Sequence, residues 1–164
     1  MNTQCNTLGK GMIAGFVATI ALSLLMIAKS VMGLMPDLNV IAMLTSMAHT
    51  YMGLPQSLLI GWMLHFTIGT IAWGILFVLL APHLPGTNPI VKGLIFGTIA
   101  WLAMMIIVMP MAGAGIFGWK FGMMAPVATW MLHLVYGAVL GYVYGRLTTS
   151  SCSIRGGFAD QVDR

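Results

Sequence analysis

Trp62-Met63-Leu64-His65 lies in an apolar stretch of the chain, and the same four residues return as Trp130-Met131-Leu132-His133. No formal charge occurs between Asp37 and Lys92, so the first copy stands in a long uncharged segment. A helix needs about 20 apolar residues to cross the hydrocarbon core of a bilayer. The segment therefore predicts a membrane-spanning helix that carries an ionisable side chain.

The composition of the chain indicates the same class of protein. Of the 164 residues, 59% are hydrophobic and 6% are charged, whereas soluble domains carry about 25% charged residues. The chain cannot cover itself with a polar surface, so the lipid bilayer is its expected partner. The seven lysines and arginines are scattered singly, which argues against nucleic acid as a partner.

Four segments are long and apolar enough to cross a bilayer. They are predicted at about Gly11 to Leu34, at Ser57 to Leu80, at Gly93 to Met109, where Pro110 interrupts the helix, and at Pro126 to Leu147. The predicted fold class is all-α, an integral membrane four-helix bundle that forms a single domain over residues 1–164. Residues 148–164 are predicted to form a polar C-terminal tail.

The segment from Asp37 to Gly53 has a different pattern. Apolar residues gather on one side of its helical wheel, and Thr45, Ser46 and His49 gather on the other. This pattern predicts one amphipathic helix that lies in the membrane interface. Asp37 is its predicted N-cap.

An internal repeat relates the four spans. Lys10-Gly11-Met12-Ile13-Ala14-Gly15 opens the first span and Lys92-Gly93-Leu94-Ile95-Phe96-Gly97 opens the third, while the tetrapeptide marks the second and fourth. Two repeats of two helices each are therefore predicted, at about residues 10–80 and 92–147. Because each repeat holds an even number of spans, the two are expected to be parallel, with a pseudo-twofold axis along the membrane normal.

Basic residues near the span ends predict the orientation of the chain. Lys10, Lys92 and Arg146 lie on the side that holds both termini, whereas Lys120 lies on the other. Lys29 also belongs to that other side, and its stem is expected to reach outward from the end of the first span. Both termini are therefore expected in the cytoplasm.

Small residues recur at intervals of four along the second and fourth spans, as in helices that pack closely in lipid. The predicted helix-packing residues are Gly61, Gly69, Gly137, Gly141 and Gly145. These stripes place both histidines on helix-contact faces. They also make a homo-oligomer or a larger membrane complex the expected protein partner.

His65 and His133 are the candidate site residues, because an ionisable group inside a membrane is costly and commonly functional. Three interpretations stay open. Each histidine can be neutral and bonded to a carbonyl or to a hydroxyl such as that of Tyr136, Thr129 or Thr70. The pair can be the axial ligands of a b-type haem, the candidate cofactor. They can also belong to a metal or proton pathway, and the sixteen methionines raise a Cu(I) hypothesis.

Other chemistry has little support in the sequence. The chain has no paired carboxylates within the spans, no glycine-rich phosphate loop, no Ser-His-Asp arrangement and no HExxH zinc motif. Cys5 and Cys152 lie in opposite tails, so neither a structural disulfide nor a thiolate metal site is favoured. The protein is therefore not expected to be an enzyme.

The expected function is that of a polytopic membrane protein acting through helix contacts, as an accessory subunit or a homo-oligomer. Two alternatives stay beside it. One is a small bis-histidine haem b protein that transfers electrons through His65 and His133. The other is a minimal channel or transporter along the pseudo-twofold axis, which would need oligomerisation because four spans enclose little space.

Two stretches of the chain resemble a known family. The pattern Lys-Gly-x-x-x-Gly at the start of a span, and above all Met-Pro-Met-Ala-Gly-Ala-Gly-Ile-Phe-Gly from Met109 to Gly118, are similar to a domain-of-unknown-function family. Its members are small bacterial inner-membrane proteins with about four spans. The resemblance covers roughly residues 8 to 147. It implies a protein of the bacterial inner membrane, and it brings no established activity and no binding residues.

Overall fold

The computed structural model describes the backbone of residues 3–162 and the side chains of residues 7–149. The side chains of Cys5 and Cys152 lie outside that range. Every regular element described is helical, which confirms the predicted all-α class. The α-helices are Thr3–Val31, Val40–Met52, Leu58–Thr67, Trp73–Leu80, Pro89–Ala103, Met109–Met111 and Met124–Val162, with π-helical turns at Ile68–Ala72 and Met104–Val108 and a 3-10 helix at Ile116–Phe121.

Four of these helical stretches are long and apolar enough to cross a membrane. They are span one (Thr7–Val31), span two (Leu58–Leu80), span three (Pro89–Met111) and span four (Met124–Thr149). The helix Val40–Met52, called the connecting helix below, joins spans one and two. The architecture fits a membrane protein.

The ends of spans three and four differ from the prediction. Span three begins at Pro89 rather than Gly93, because the Asn88 side chain accepts a hydrogen bond from the Ile90 amide at 2.9 Å and caps the helix. A proline suits the first helical turn, where its missing amide hydrogen leaves no bond unmade. The last helix continues to Val162, so the backbone of the predicted polar tail is helical over most of its length.

Pro110 does not interrupt span three as predicted. A proline ring normally clashes with the carbonyl four residues earlier and leaves it without an amide donor. Here the helix first widens into the π turn at Met104–Val108, in which the Met109 amide bonds to the Met104 carbonyl. A π turn relaxes the α-helical spacing, so the helix passes through Pro110 and continues to Met111.

The connecting helix begins at a different cap from the one predicted. The Asn39 side chain, not that of Asp37, accepts a hydrogen bond from the Ala42 amide, at 3.0 Å. The helix ends where Gly53 takes the left-handed conformation (φ 66°), which glycine adopts without steric cost. The two caps keep this helix short, so that it lies between two spans instead of extending either.

Lys29 is bound at the end of span one, and whether its stem reaches the membrane surface stays a prediction. Its Nζ donates hydrogen bonds to the carbonyl oxygens of Met35 (3.1 Å) and Leu38 (2.7 Å), in the turn that follows span one. At its other end the connecting helix is held by the Tyr51 hydroxyl, which donates to the Met111 carbonyl of span three at 3.0 Å. The connecting helix is therefore tied to the bundle at both ends.

Close backbone contacts join the spans in pairs. A Cβ atom placed on Gly15 of span one would lie 2.8 Å from the Gly69 carbonyl oxygen of span two. A Cβ on Gly97 of span three would lie 3.4 Å from the Cα of Gly137 of span four. Helices in lipid associate mainly through van der Waals contact, which small residues permit. Each hairpin of two spans is therefore held together by its glycines.

Aromatic side chains bring the two hairpins together. Phe77 of span two and Phe96 of span three are buried, with ring centroids 5.2 Å apart, and Tyr144 of span four lies edge-on to Phe77 at 5.4 Å. Ala14 and Ala18 of span one complete the cluster. Edge-to-face rings of this kind add to the apolar contact. All four spans thus meet around one core.

Candidate functional site

A cavity of about 240 Å³ lies between the four spans and the connecting helix, all of which contribute to its wall. Most of the lining side chains are apolar. The polar or indole-bearing ones are Thr19, His65, Trp73, Thr129, His133 and Tyr136. The fold therefore brings both predicted histidines to the same space.

His65 is buried on span two and bonds to span one. Its Nε2 lies 3.1 Å from the Ser23 hydroxyl oxygen, and that hydroxyl donates its hydrogen to the Thr19 carbonyl at 2.7 Å. With its single hydrogen given to that carbonyl, the serine oxygen accepts from the imidazole. In the neutral ring, Nε2 therefore carries the proton and Nδ1 keeps its lone pair.

His133 is half-buried on span four and bonds within its own helix. Its Nδ1 lies 2.8 Å from the Thr129 carbonyl oxygen, one turn earlier. A carbonyl only accepts hydrogen bonds, so Nδ1 must carry the proton. In the neutral ring, Nε2 therefore keeps its lone pair, and the two histidines adopt opposite tautomers.

The second nitrogen of each ring is open to contact. Among the described side chains, Thr70 Oγ1 is the only fully buried nitrogen or oxygen atom without a hydrogen-bond partner. His65 Nδ1 and His133 Nε2 have no hydrogen-bond partner within the chain, so both retain accessible surface. Each histidine is thus held through one nitrogen and offers a hydrogen-bond acceptor through the other.

A third polar group of the cavity wall, the Tyr136 hydroxyl, is bound to the π turn of span two. In this turn the Trp73 amide bonds to the Ile68 carbonyl instead of the Gly69 carbonyl that an α-helix would use. The Tyr136 hydroxyl of span four donates to the Gly69 carbonyl at 2.6 Å. π turns occur frequently at functional sites, and here one connects spans two and four beside the cavity.

Residues 5–154 match the model of a family of unknown function, DUF6789. The chain belongs to this family. No curated protein and no solved structure matches it. The match over most of the chain confirms the resemblance to a family of unknown function, and the bacterial origin stays a prediction.

The two histidines of this DUF6789 member have different surroundings although their motifs are alike. In the first hairpin, Gly15 of span one contacts the carbonyl of Gly69, which lies four residues after His65. In the second hairpin, the equivalent Gly97 of span three contacts the carbonyl of His133 itself. The pairing of the helices therefore differs by about one turn between the two hairpins. His65 bonds to Ser23 of span one, whereas His133 bonds to its own helix. The duplication itself stays a prediction.

The five predicted packing glycines of the DUF6789 chain all lie at contacts within the chain. Gly61 faces Thr45 and Ile41 of the connecting helix, and Gly69 faces Thr19. The others contact span three, with Gly137 against Gly93 and with Gly141 and Gly145 against Pro89. The stripes are therefore occupied inside the monomer.

Methionines form part of the cavity wall. Met26, Met43, Met47 and Met104 line it, whereas Met63, the second residue of the tetrapeptide that ends at His65, is 62% exposed and faces away from the core. Among the described residues, no group of three or more histidine, cysteine or acidic side chains is placed to hold a metal ion. The Cu(I) hypothesis stays a prediction.

Sequence reasoning missed Ser23 and Thr19, which hold His65 in place. Span one contains no motif around them, and single hydroxyls in an apolar helix commonly bond to their own backbone. Both do so here, through the carbonyls four residues earlier. The available signal was their spacing of four, which puts two hydroxyls on the same face as Gly15.

Proposed function

We propose that this DUF6789 protein is a non-enzymatic, multi-pass protein of a bacterial inner membrane that binds a small lipophilic molecule between its spans. The cavity carries this proposal, because its wall combines apolar side chains with His65 and His133, each of which bonds within the chain through only one ring nitrogen. Mostly apolar pockets with a few placed polar groups are typical of small-molecule sites. The basic residues near the span ends support an orientation with both termini in the cytoplasm.

In this proposal the contacts between helices serve to build the walls of the cavity, and they are made within one chain. The glycine stripes that suggested an accessory subunit or a homo-oligomer are already in contact with other residues of the same chain. A protein partner would have to bind to the larger apolar side chains that face outward. Association with a partner and the channel alternative stay predictions.

The volume of the cavity limits the size of the ligand. An apolar cavity of about 150 Å³ accommodates benzene, and pockets for drug-sized ligands measure roughly 300–1,000 Å³. The cavity of about 240 Å³ lies between the two. It suits a molecule with a single ring and a few further heavy atoms.

Binding of para-methylanisole to the purified protein in detergent tests this function. We expect the probe to raise the melting temperature in a saturable way, because a ligand at about 100 times its dissociation constant adds about 2.7 kcal/mol to stability. Met47→Phe adds bulk to the cavity wall and is expected to abolish the shift. Met52→Phe, on the exposed end of the same helix, is the matched control and is expected to retain it. An equal response in both variants would reject a binding site in the cavity.

A bis-histidine haem is the second candidate, because both histidines line one cavity and each has one ring N–H that donates to a partner within the chain, Ser23 or Thr129. Metal-bound imidazoles are usually held in this way. The space suits a single ring rather than a porphyrin, and ligation through His65 Nε2 would break its bond to Ser23. Haem binding therefore requires the spans to separate.

Reconstitution with haemin discriminates between the two candidates. We expect no Soret band that depends on His65 or His133, because a space of about 240 Å³ leaves no room for the macrocycle. A band present in the unmodified protein and lost in both His65→Ala and His133→Ala would establish the haem function instead.

A further inference from the structure

We infer that the ligand of the central cavity is a lipid-soluble phenol, hydroquinones included, whose hydroxyl hydrogen is donated to His65 Nδ1 or His133 Nε2. This inference rests on the proposed small-molecule function and adds the chemical class of the ligand. It follows from which hydrogen-bonding groups of the cavity wall are already used and which are free.

The hydroxyl groups of the wall have no hydrogen left to donate to a ligand. Thr19 and Thr129 each donate to a carbonyl of their own helix at 2.7 Å, and Tyr136 donates to span two at 2.6 Å. Both histidines give their only proton to partners within the chain. Of the described polar side chains that line the cavity, the Trp73 indole alone keeps an N–H without a partner.

The free groups are therefore the Trp73 N–H as the one donor and, as acceptors, the two imidazole nitrogens together with the oxygen lone pairs of the Thr19 and Tyr136 hydroxyls. A ligand that only accepts hydrogen bonds, such as an ether or a ketone, would leave both histidine nitrogens unpaired in a mostly apolar space, which is costly. A hydroxyl group satisfies one of these nitrogens with its hydrogen, and its oxygen can accept from Trp73. Neutral imidazole nitrogens are good acceptors for a phenolic O–H, which is a stronger donor than an aliphatic alcohol.

The remainder of the wall suits an aromatic ring. Trp73 and Tyr136 offer aromatic surfaces, which favour offset or edge contacts with another ring. Met43, Met47 and Met104 add flexible thioether side chains, which also make favourable contacts with ring edges. A single ring fits the volume of about 240 Å³, and a longer apolar tail would have to leave between the spans.

Two isomeric probes test the need for a donor. para-Ethylphenol and para-methylanisole have the same atoms, and only the first carries a hydroxyl hydrogen. Their affinities are measured with the full chain in detergent, each corrected for its partition into micelles without protein. We expect the phenol to bind about tenfold more tightly, which corresponds to one hydrogen bond to a buried acceptor.

Histidine variants locate the acceptors. The paired substitution of His65→Met and His133→Met is expected to remove the preference for the phenol, so that the two isomers bind with about equal affinity. His83→Met, at an exposed histidine that lies outside the cavity wall, is the matched control and is expected to keep the preference. Should the paired variant not fold, each single variant is measured, and a preference unchanged in both would overturn the inference.

The outcomes separate this inference from the proposed function. If both isomers bind equally to the unmodified protein and Met47→Phe blocks both, the cavity is a binding site and the phenol inference fails. If neither isomer binds, the proposed function fails and the inference fails with it. A preference for the phenol that depends on the histidines supports both.

Discussion

Gly137→Ala is expected to lower the free energy of unfolding by about 1–3 kcal/mol, the usual cost of overpacking a well-packed contact. The added Cβ would meet the carbonyl of Gly93 and would lie 3.2 Å from the Cα of Gly97, so it would force spans three and four apart. Because the opposing atoms are backbone, no flexible side chain can move aside. The measurement is thermal unfolding of the purified protein in detergent, followed by circular dichroism.

Gly9→Ala is the matched control for this substitution. It also replaces a helical glycine, but no atom lies within 4 Å of the new methyl group. Alanine favours the helix over glycine by up to about 1 kcal/mol, so the control is expected to be neutral or slightly stabilising. If Gly137→Ala were as stable as Gly9→Ala, close backbone contact would not be what holds the second hairpin together.

Tyr136→Phe is expected to lower the free energy of unfolding by about 1–2 kcal/mol, because it leaves a buried carbonyl without its partner. The lost hydrogen bond is the one from the tyrosine hydroxyl to the Gly69 oxygen, 2.6 Å long. This carbonyl belongs to the π turn of span two, which has lost its α-helical amide. Hydrogen exchange of span two amides is expected to increase together with the loss of stability.

Tyr142→Phe is the control for the loss of a tyrosine hydroxyl from the same helix. Tyr142 is 48% exposed, and its hydroxyl accepts from Arg146 Nε at 3.2 Å. Water and lipid head groups can replace such a bond, so the change in stability is expected to be under about 0.5 kcal/mol. Equal effects of the two substitutions would show that the bond across the bundle contributes nothing beyond the general loss of a hydroxyl.

The local ends of the helices could be predicted only in part. Both Asp37 and Asn39 are residue types that cap helices, and the choice of Asn39 depends on how the turn after span one is folded, with Lys29 bound to two of its carbonyls. Pro110 normally ends a helix, and the π turn that accommodates it has no signature in the sequence. These errors have a common cause, since tertiary contacts decide between local options of similar free energy.

The candidate site, like the helix ends, could be predicted only in part. The motifs around His65 and His133 indicated that two ionisable groups lie within the spans, and nothing in them distinguishes one histidine from the other. The pairing of glycines between helices differs by about one turn in the two hairpins, and His65 has a serine partner from span one whereas His133 bonds to its own helix. The resulting tautomers determine which nitrogens stay free, and with them the kind of ligand that the cavity can bind.

The sequence by itself determined that this protein is all-helical with four apolar spans, because the length and hydrophobicity of a segment decide whether it can cross a bilayer, independently of its neighbours. The tertiary structure alone decided that both histidines share one cavity, that the glycine stripes are occupied inside the chain, and that acceptors outnumber donors in the cavity wall. These features depend on distances between spans that are far apart in the chain. Their physical origin is the close packing of backbones at the glycines, which sets how the helices are aligned and how much space remains between them.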